Sequence, residues 1–196
     1  EGQTSPPHAR ELWDHQKEAV DSILAGLEKN DRVSAIMACG TGKTLVTLRV
    51  AEMFKAKTFL MLEPSLALIQ QTIQEWIRDT TWANIQFTAI CSDQSVRKGS
   101  DDLQIDPATL DFPVHTNSEE LKAWIASTEG NIRVIFSTYQ SAHVVSEALN
   151  GRDIIDLGIF DEAHKTAGRK EAKFSHALID KNLPIRKRLF LTATPR

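Results

Sequence analysis

The sequence predicts an α/β domain in which helices cover both faces of a mostly parallel central sheet. Short continuous apolar runs, typical of strands buried on both faces, alternate along the chain with amphipathic segments of helical period. The 196 residues, 41% of them hydrophobic and 25% charged, suit one domain of this class. The same composition excludes a disordered tail, a collagen-like chain and a coiled coil.

The N-terminal elements follow from the spacing of apolar residues. Residues 1–9 contain two prolines and are predicted to be a flexible lead-in to a domain that spans residues 10–196. Helical spacing predicts a first helix over residues 10–27. Residues 32–37 are predicted to form a short buried strand. A second helix, ending at Phe54, follows a glycine-rich turn.

The middle of the chain continues the alternation. Residues 58–62 predict a second buried strand, and Ser65 is a plausible N-cap for a helix that runs to about residue 78. Residues 85–90 predict a third strand. Residues 101–120 hold six acidic residues and no Lys or Arg, which favours a solvated surface loop over an acidic partner site.

The C-terminal half repeats the same pattern. Ser118 is followed by two glutamates, which favour a helix N-terminus because they complement its dipole. The remaining predicted elements are strand 131–138, helix 140–149, strand 153–160, helix 174–179 and strand 187–191.

Charge and cysteine content restrict the class of partner and the compartment. The formal net charge is −3, so any nucleic-acid contact has to be local or made through backbone N–H groups. Two cysteines without a CxxC pair favour a reducing compartment. The start has no signal-peptide core and no apolar run reaches the length of a membrane span. We therefore predict a cytoplasmic protein without a membrane partner.

The strongest local signal is Gly-Thr-Gly-Lys-Thr, which lies between a predicted strand and a predicted helix. Glycines let the backbone approach an anion, and the N-terminus of the next helix supplies N–H groups to it. The lysine would neutralise the β- and γ-phosphates, and the last threonine would ligate Mg²⁺. Met37 stands where the usual pattern begins with glycine. The predicted nucleotide-binding residues are Cys39, Gly40, Thr41, Gly42, Lys43 and Thr44.

A pair of acidic residues supplies the other half of a nucleotide site. Asp161 and Glu162 follow an apolar strand, and Asp161 lies 118 residues after Lys43. A carboxylate suits Mg²⁺ as a hard oxygen ligand, so we predict that Asp161 and Thr44 hold this ion. Glu162 is placed to act as a general base on the attacking water. The alternative, an exposed acidic loop, is disfavoured by the apolar strand before the pair.

Six segments in order resemble the first motor domain of DEAH-type superfamily 2 helicases. Asp161-Glu162-Ala163-His164 resembles motif II, and Met37 to Thr44 resembles motif I. Residues 10–16 (Arg-Glu-Leu-Trp-Asp-His-Gln) resemble the adenine-reading motif. Residues 64–71, 136–141 and 191–196 resemble motifs Ia, Ib and III. Residues 136–141, 163–169 and 188–196 in particular resemble those of predicted bacterial helicases and of helicase subunits of type I, type III and type ISP restriction enzymes.

This resemblance implies a RecA-like fold, ATP and Mg²⁺ as cofactors, and ATP hydrolysis. Gln16 would read adenine through its amide, with Arg10 assisting; a solvated glutamine is the alternative. Lys43, Asp161, Glu162 and His164 would be the catalytic residues, with His164 a hydrogen-bonded switch rather than a metal ligand.

The resemblance also implies sequence-independent contacts with one strand of nucleic acid, with DNA favoured over RNA through the similarity to restriction enzymes. Plain helix capping is the alternative for the hydroxyl groups of these segments. Two threonines in motif III would couple the nucleotide site to the nucleic-acid groove. The predicted contact residues are Ser65, Leu66, Gln70, Ser137, Thr138, Tyr139 and Gln140, and the coupling residues are Thr192 and Thr194.

Members of this family carry a second RecA-like motor domain that supplies an arginine finger, and the sequence stops directly after the segment resembling motif III. We therefore expect a first motor domain that hydrolyses ATP very slowly by itself. Two other classes stay open: another phosphate-loop ATPase, GTPase or kinase, and a non-catalytic nucleic-acid-binding module. A GTPase would usually have an Asn-Lys-x-Asp motif, and this sequence has none. A non-catalytic module with a decayed site is disfavoured because Lys43, Thr44, Asp161 and Glu162 are all present.

Overall fold

The computed structural model describes residues 9–38, 40–91, 112–149, 155–162 and 182–193. Helices in these ranges are α1 (Asp14–Lys29), α2 (Lys43–Phe54), α3 (Leu66–Asp79), α4 (Ser118–Ser127) and α5 (Ala142–Leu149). Strands are β1 (Arg32–Ile36), β2 (Thr58–Glu63), β3 (Ile85–Ile90), β4 (Val114–His115), β5 (Ile132–Thr138), β6 (Ile155–Phe160) and β7 (Ile185–Thr192).

The described strands form one sheet of seven, in the order β1-β7-β6-β2-β5-β3-β4, and every pairing in it is parallel. This confirms the predicted α/β class. Since all strands run the same way, their carboxyl ends share one edge of the sheet. The segments after β1, β2, β5 and β6 therefore meet there, although they are far apart in sequence.

The core consists of two layers, one on each face of the sheet. Phe59 and Met61 of β2 belong to a cluster that α1, α2 and α3 cover. Leu60 and Leu62 belong to the opposite cluster, beneath α4 and α5. Successive residues of a strand point to opposite faces, so the apolar run of β2 serves both layers. Helices cover both faces, as the sequence predicts.

Two strand predictions need correction. β1 was expected to be buried, but its residues alternate between exposed and half-buried, because β1 is an edge strand that pairs only with β7 among the described strands. β4 was not expected at all. It has two residues, which pair with Ala89 and Ile90 of β3 and are too few to produce a periodic signal. The predicted helix 174–179 lies outside the described residues.

An arginine clasp, formed by Arg10, Arg78 and Asp79, fixes the segment before α1 to the end of α3. Arg10 donates from Nε and Nη2 to the two carboxylate oxygens of Asp79, at 2.9 and 2.7 Å. Arg78 donates to Oδ2 at 3.0 Å. Burial opposes the charge of Asp79, but the two guanidinium groups outweigh it and lower the pKa of this carboxyl. Among the described residues, no helix is long and apolar enough to cross a membrane.

Candidate nucleotide and nucleic-acid site

The phosphate loop joins β1 to α2 and depends on glycine at two positions. Gly40 and Gly42 have φ angles of 77° and 83°, in the left-handed region that favours glycine. A Cβ atom at Gly42 would also collide with Nε2 of Gln16. Gly42 is the N-cap of α2 and has no side chain with which to cap it. The first N–H groups of α2 therefore suit an anion.

Gln16 ties the first turn of α1 to the phosphate loop. Val20, Ile23 and Leu27 continue the buried stripe of α1 on which Gln16 lies, and Gln16 is only 5% exposed. Its Nε2 donates to the carbonyl oxygen of Thr41 at 3.0 Å, and its Oε1 accepts from the backbone N–H of Trp13 at 3.0 Å. Both ends of the amide that the sequence assigns to adenine thus hold the protein's own backbone in this structure.

Arg10, the second residue expected near the base, belongs to the arginine clasp. Asp79 occupies its guanidinium fork, and its carbonyl oxygen accepts from Arg49 Nη2 at 3.1 Å. In this conformation Arg10 therefore has a structural role: it holds in place the start of the segment that leads to Gln16.

Lys43 and Glu162 meet across the site. Lys43 is the first residue of α2, Glu162 follows β6, and Nζ of the lysine lies 2.7 Å from Oε1 of the glutamate. Each side chain is 15% exposed, so the ion pair is largely shielded from water. Glu162 has a φ of 50°, an uncommon conformation for a residue with a side chain. The strand order explains the meeting, because only β7 separates β1 from β6.

Asp161 presents a buried carboxylate beside this ion pair. Its backbone N–H donates to the carbonyl oxygen of Leu62 at 2.9 Å, which continues the pairing of β6 with β2. Burial raises the pKa of Asp161, and the nearby charge of Lys43 opposes that shift. Oδ1 is buried and has no hydrogen-bond partner within the described part of the chain. A hard cation would satisfy this oxygen, so the donor set fits Mg²⁺. Thr44, directly after Lys43, is half-buried.

Glu63 is an acidic residue of the site that sequence reasoning missed. It ends β2, is 1% exposed, and accepts from Thr72 Oγ1 at 2.9 Å. The register pairs Leu62 with Phe160, which places Glu63 beside Asp161. Burial and the charge of Asp161 raise the pKa of Glu63 well above its usual range. The signal in the sequence that could have identified Glu63 is an acidic residue at the end of an apolar strand.

The segments expected to contact nucleic acid follow β2 and β5 at the same edge. Ser65 is the N-cap of α3 and accepts from the backbone N–H of Leu68 at 3.4 Å. Ser65, Leu66 and Gln70 are half-buried and therefore reachable from solvent. The capping role of Ser65 agrees with the sequence prediction.

Three of the expected contact residues, at the end of β5 and directly after it, are buried in this structure, and their contact with nucleic acid stays a prediction. Ser137, Thr138 and Tyr139 are 0%, 3% and 2% exposed. The hydroxyl of Ser137 donates to the carbonyl oxygen of Thr138, and that of Thr138 donates to Ser141 Oγ. The hydroxyl of Tyr139 donates to the carbonyl oxygen of Asp161 at 2.7 Å. Gln140 alone of this set is half-buried and can meet a ligand in this conformation.

Thr192, an expected coupling residue, ends β7, the strand that lies between β1, which leads to the glycine-rich loop, and β6, which leads to the acid pair. Its carbonyl oxygen accepts from the backbone N–H of Met37 at 2.9 Å, where the phosphate loop begins. β7 pairs with β1 on one side and with β6 on the other. Cys39, His164 and Thr194 lie outside the described residues, so their roles stay predictions.

A family profile and two curated relatives match the chain. The profile described as "Type III restriction enzyme, res subunit" matches residues 10–196. A probable helicase of African swine fever virus is 30% identical over 183 residues, and its counterpart from a second isolate is 29% identical over 184 residues. Each match covers 93% of this chain and 19% of the viral protein, so the chain spans about a fifth of these relatives.

Solved structures of two type ISP restriction-modification enzymes are similar in fold and sequence. LlaBIII, solved bound to DNA, gives a TM-score of 0.81 at 32% identity, over 95% of this chain and 13% of its own. LlaGI, solved as a nuclease-deletion mutant with a DNA substrate mimic, gives 0.77 at 34% identity, over 95% and 18%. The SWI2/SNF2 ATPase core of Sulfolobus solfataricus, at 0.58 and 16% identity over 100% of this chain and 35% of its own, shares the RecA-like fold.

Proposed function

Because the chain belongs to the family of the type III restriction enzyme res subunit, as a first RecA-like motor domain of superfamily 2, we propose that it is the ATP-binding part of a DNA helicase or translocase. The observation that carries this proposal is the 2.7 Å pair between Lys43 and Glu162. It brings the phosphate loop and the acid pair into one site, as coupling ATP hydrolysis to movement requires.

In this function each residue of the site has a separate task. Lys43 and the N–H groups of α2 bind and orient the phosphates of ATP. Thr44 and Asp161 would hold Mg²⁺, which neutralises phosphate charge when bound. Glu162, released from Lys43, would accept a proton from the attacking water, and His164 would act as a hydrogen-bonded switch.

Adenine recognition by Gln16 requires an exchange of hydrogen bonds. The amide would release Thr41 or Trp13, which it holds at 3.0 Å, and turn to the base. Arg10 would contribute by holding the preceding segment through the arginine clasp. This assignment makes ATP, not GTP, the nucleotide of the site.

DNA is the proposed polymer because two relatives above 30% identity were solved with DNA or a DNA mimic. Ser65, Leu66, Gln70 and Gln140 would contact the sugar–phosphate backbone of one strand without reading bases. Movement would further require a second RecA-like domain, whose arginine completes the site, with Thr192 and Thr194 coupling the two ligands. RNA is the alternative polymer. We place the protein in the cytoplasm.

The test uses the full-length protein and its Glu162→Gln variant. We expect hydrolysis of ATP that duplex DNA stimulates, little competition by GTP, and a smaller effect of RNA. Glu162→Gln should keep ATP binding and lower turnover on the order of 100-fold, because it removes the base. Glu129→Gln, an exposed glutamate on the far side of the fold, serves as the control. Equal turnover in wild type and Glu162→Gln would refute the assignment, and preference for GTP would indicate another class of phosphate-loop enzyme.

A further inference from the structure

Tyr139 connects the turn after β5 to the acid pair after β6. β5 ends at Thr138, and a 3₁₀ turn over Tyr139–Ser141 leads into α5. The phenol of Tyr139 is 2% exposed, and its hydroxyl donates to the carbonyl oxygen of Asp161, 22 residues away, at 2.7 Å. A direct polar contact therefore joins a segment proposed to face nucleic acid to the centre of the nucleotide site.

Hydrogen bonds within the turn tie its backbone to Tyr139. Thr138 Oγ1 donates to Ser141 Oγ at 3.0 Å, and the backbone N–H of Ala142 donates to the carbonyl oxygen of Tyr139. These bonds close the turn around Gln140, its half-buried residue. If a bound strand displaced Gln140, these bonds would carry the movement to the backbone of Tyr139, and the stiff phenol ring would carry it to the hydroxyl.

The acceptor of this hydrogen bond sits at the peptide that sets the direction of Glu162. The carbonyl oxygen of Asp161 belongs to the peptide unit shared by Asp161 and Glu162. Its orientation fixes ψ of Asp161 and φ of Glu162 together. Glu162 has a φ of 50°, a conformation that a glutamate keeps only when neighbouring contacts hold it. The Tyr139 hydroxyl is such a contact, so it helps decide where the Glu162 carboxylate points.

We propose that Tyr139 is a positioning residue that orients the Asp161–Glu162 peptide, and with it the general base, in response to nucleic acid on the turn Tyr139–Ser141. The proposal rests on the proposed function, because it gives that site its regulation by the polymer. The sequence predicted a direct nucleic-acid contact for Tyr139; its burial gives it an indirect role instead.

The kinetic test compares Tyr139→Phe with Thr128→Val in the full-length protein. Each variant removes one buried hydroxyl that donates to a backbone carbonyl, but Thr128 donates to Trp124 at the end of α4. We expect Tyr139→Phe to lower DNA-stimulated hydrolysis about tenfold, with ATP affinity unchanged within about twofold, because the base is misplaced and not removed. Thr128→Val should keep the stimulated rate. Equal rates in wild type and Tyr139→Phe overturn the proposal, and so does an equal loss in both variants.

A spectroscopic test is independent of DNA. Tyr139 is the one tyrosine among these 196 residues. After ring-¹³C tyrosine labelling of the full-length protein, its Cζ resonance is the one that is missing from Tyr139→Phe. We expect this resonance to shift when a non-hydrolysable ATP analogue binds with Mg²⁺, and to stay unchanged in Lys43→Ala. Calorimetric binding of the analogue without any shift overturns the inference. If the wild type binds and hydrolyses ATP without DNA stimulation, the proposed DNA function fails and with it the response of Tyr139 to nucleic acid. The Cζ resonance then decides whether Tyr139 still senses the nucleotide at the Asp161–Glu162 peptide.

Discussion

Two buried carboxyl groups at opposite ends of the β2–α3 unit have opposite surroundings. Asp79, at the end of α3, is 2% exposed and accepts hydrogen bonds from two arginines, which lower its pKa. Glu63, at the end of β2, is 1% exposed, accepts from the Thr72 hydroxyl and faces Asp161, and its pKa is raised by burial and by that charge.

These opposite pKa shifts distinguish two kinds of buried carboxyl group. Asp79 is a structural carboxylate, and Glu63 is an acidic group of the candidate site. Where the chain holds itself together, the charge of Asp79 is neutralised by the protein's own cations. Beside Asp161 two further acidic residues, Glu63 and Glu162, lie close together, and the nearby cation Lys43 already pairs with Glu162. Such a cluster of acidic groups is the arrangement expected where a ligand brings a cation. The experiments below test this contrast.

The largest effect is expected from Lys43→Ala, which removes the cation next to Asp161 and Glu162. ATP affinity in the presence of Mg²⁺ should fall on the order of 100-fold, about 2.7 kcal/mol, because charge-assisted bonds to the phosphates are lost. Isothermal calorimetry measures this change. Lys57→Ala removes an exposed lysine before β2, at the other end of the sheet, and should bind ATP as the wild type does. Equal affinity in wild type and Lys43→Ala would contradict the contrast.

An intermediate effect is expected from Arg10→Met, which opens the arginine clasp. Asp79 would stay buried with one arginine instead of two, and the free energy of unfolding should fall by about 2 kcal/mol. Arg78→Met is the matched control, and it should cost less because Arg78 donates only to Oδ2 of Asp79, at 3.2 and 3.0 Å, whereas Arg10 donates to both oxygens. Urea unfolding at pH 7 measures both. Equal losses in the two variants would show that Arg10 contributes no more to stability than Arg78 does.

The pH dependence of Arg10→Met has a defined sign. The folded state lowers the pKa of Asp79, so the stabilisation is present above the unfolded-state pKa and is lost as the pH falls through the folded-state pKa. Wild type should therefore lose more stability than Arg10→Met when unfolding is repeated in acid. A larger acid loss in the variant would contradict this assignment.

The smallest effect is expected from Glu63→Gln in the absence of nucleotide and Mg²⁺. This variant should gain stability, whereas Arg10→Met should lose it. The folded state raises the pKa of Glu63, so its contribution is full below the unfolded-state pKa and declines as the pH rises through the folded-state pKa. One such group changes stability by at most about 1.4 kcal/mol per pH unit.

Glutamine keeps the shape and can still accept from Thr72, but it cannot ionise. Glu63→Gln should therefore be more stable than wild type at pH 8, by about 1 kcal/mol, and nearly equal to it at pH 5. Glu129→Gln, an exposed glutamate, should show no such difference. Denaturant unfolding at the two pH values provides the measurement. A Glu63→Gln variant less stable than wild type at pH 8 would show that the carboxylate form is the stabilising one.

Much of the fold and the meeting of the glycine-rich loop with the acid pair could be predicted because their signals are local, while the nucleotide-binding roles of these residues stay predictions. Apolar runs and helical spacing gave the alternation, and the glycines of the phosphate loop require conformations that few other residues adopt. The exposure of β1 and the role of Glu63 could not be predicted in this way. Both depend on strand order, which puts β1 at an edge and β2 beside β6. The burial of Tyr139 likewise depends on its partner Asp161, which is distant in sequence.

The ion pair between Lys43 and Glu162 affects which anions can bind to Lys43. Because the ammonium already has a carboxylate at 2.7 Å, an arriving phosphate displaces one negative group with another and gains only the difference. In the proposed function a single phosphate would gain little from this exchange. A triphosphate would also reach the N–H groups at the start of α2 and could release Glu162 to act on the attacking water. Selection for highly charged nucleotides would thus begin in the resting protein, before any base is recognised.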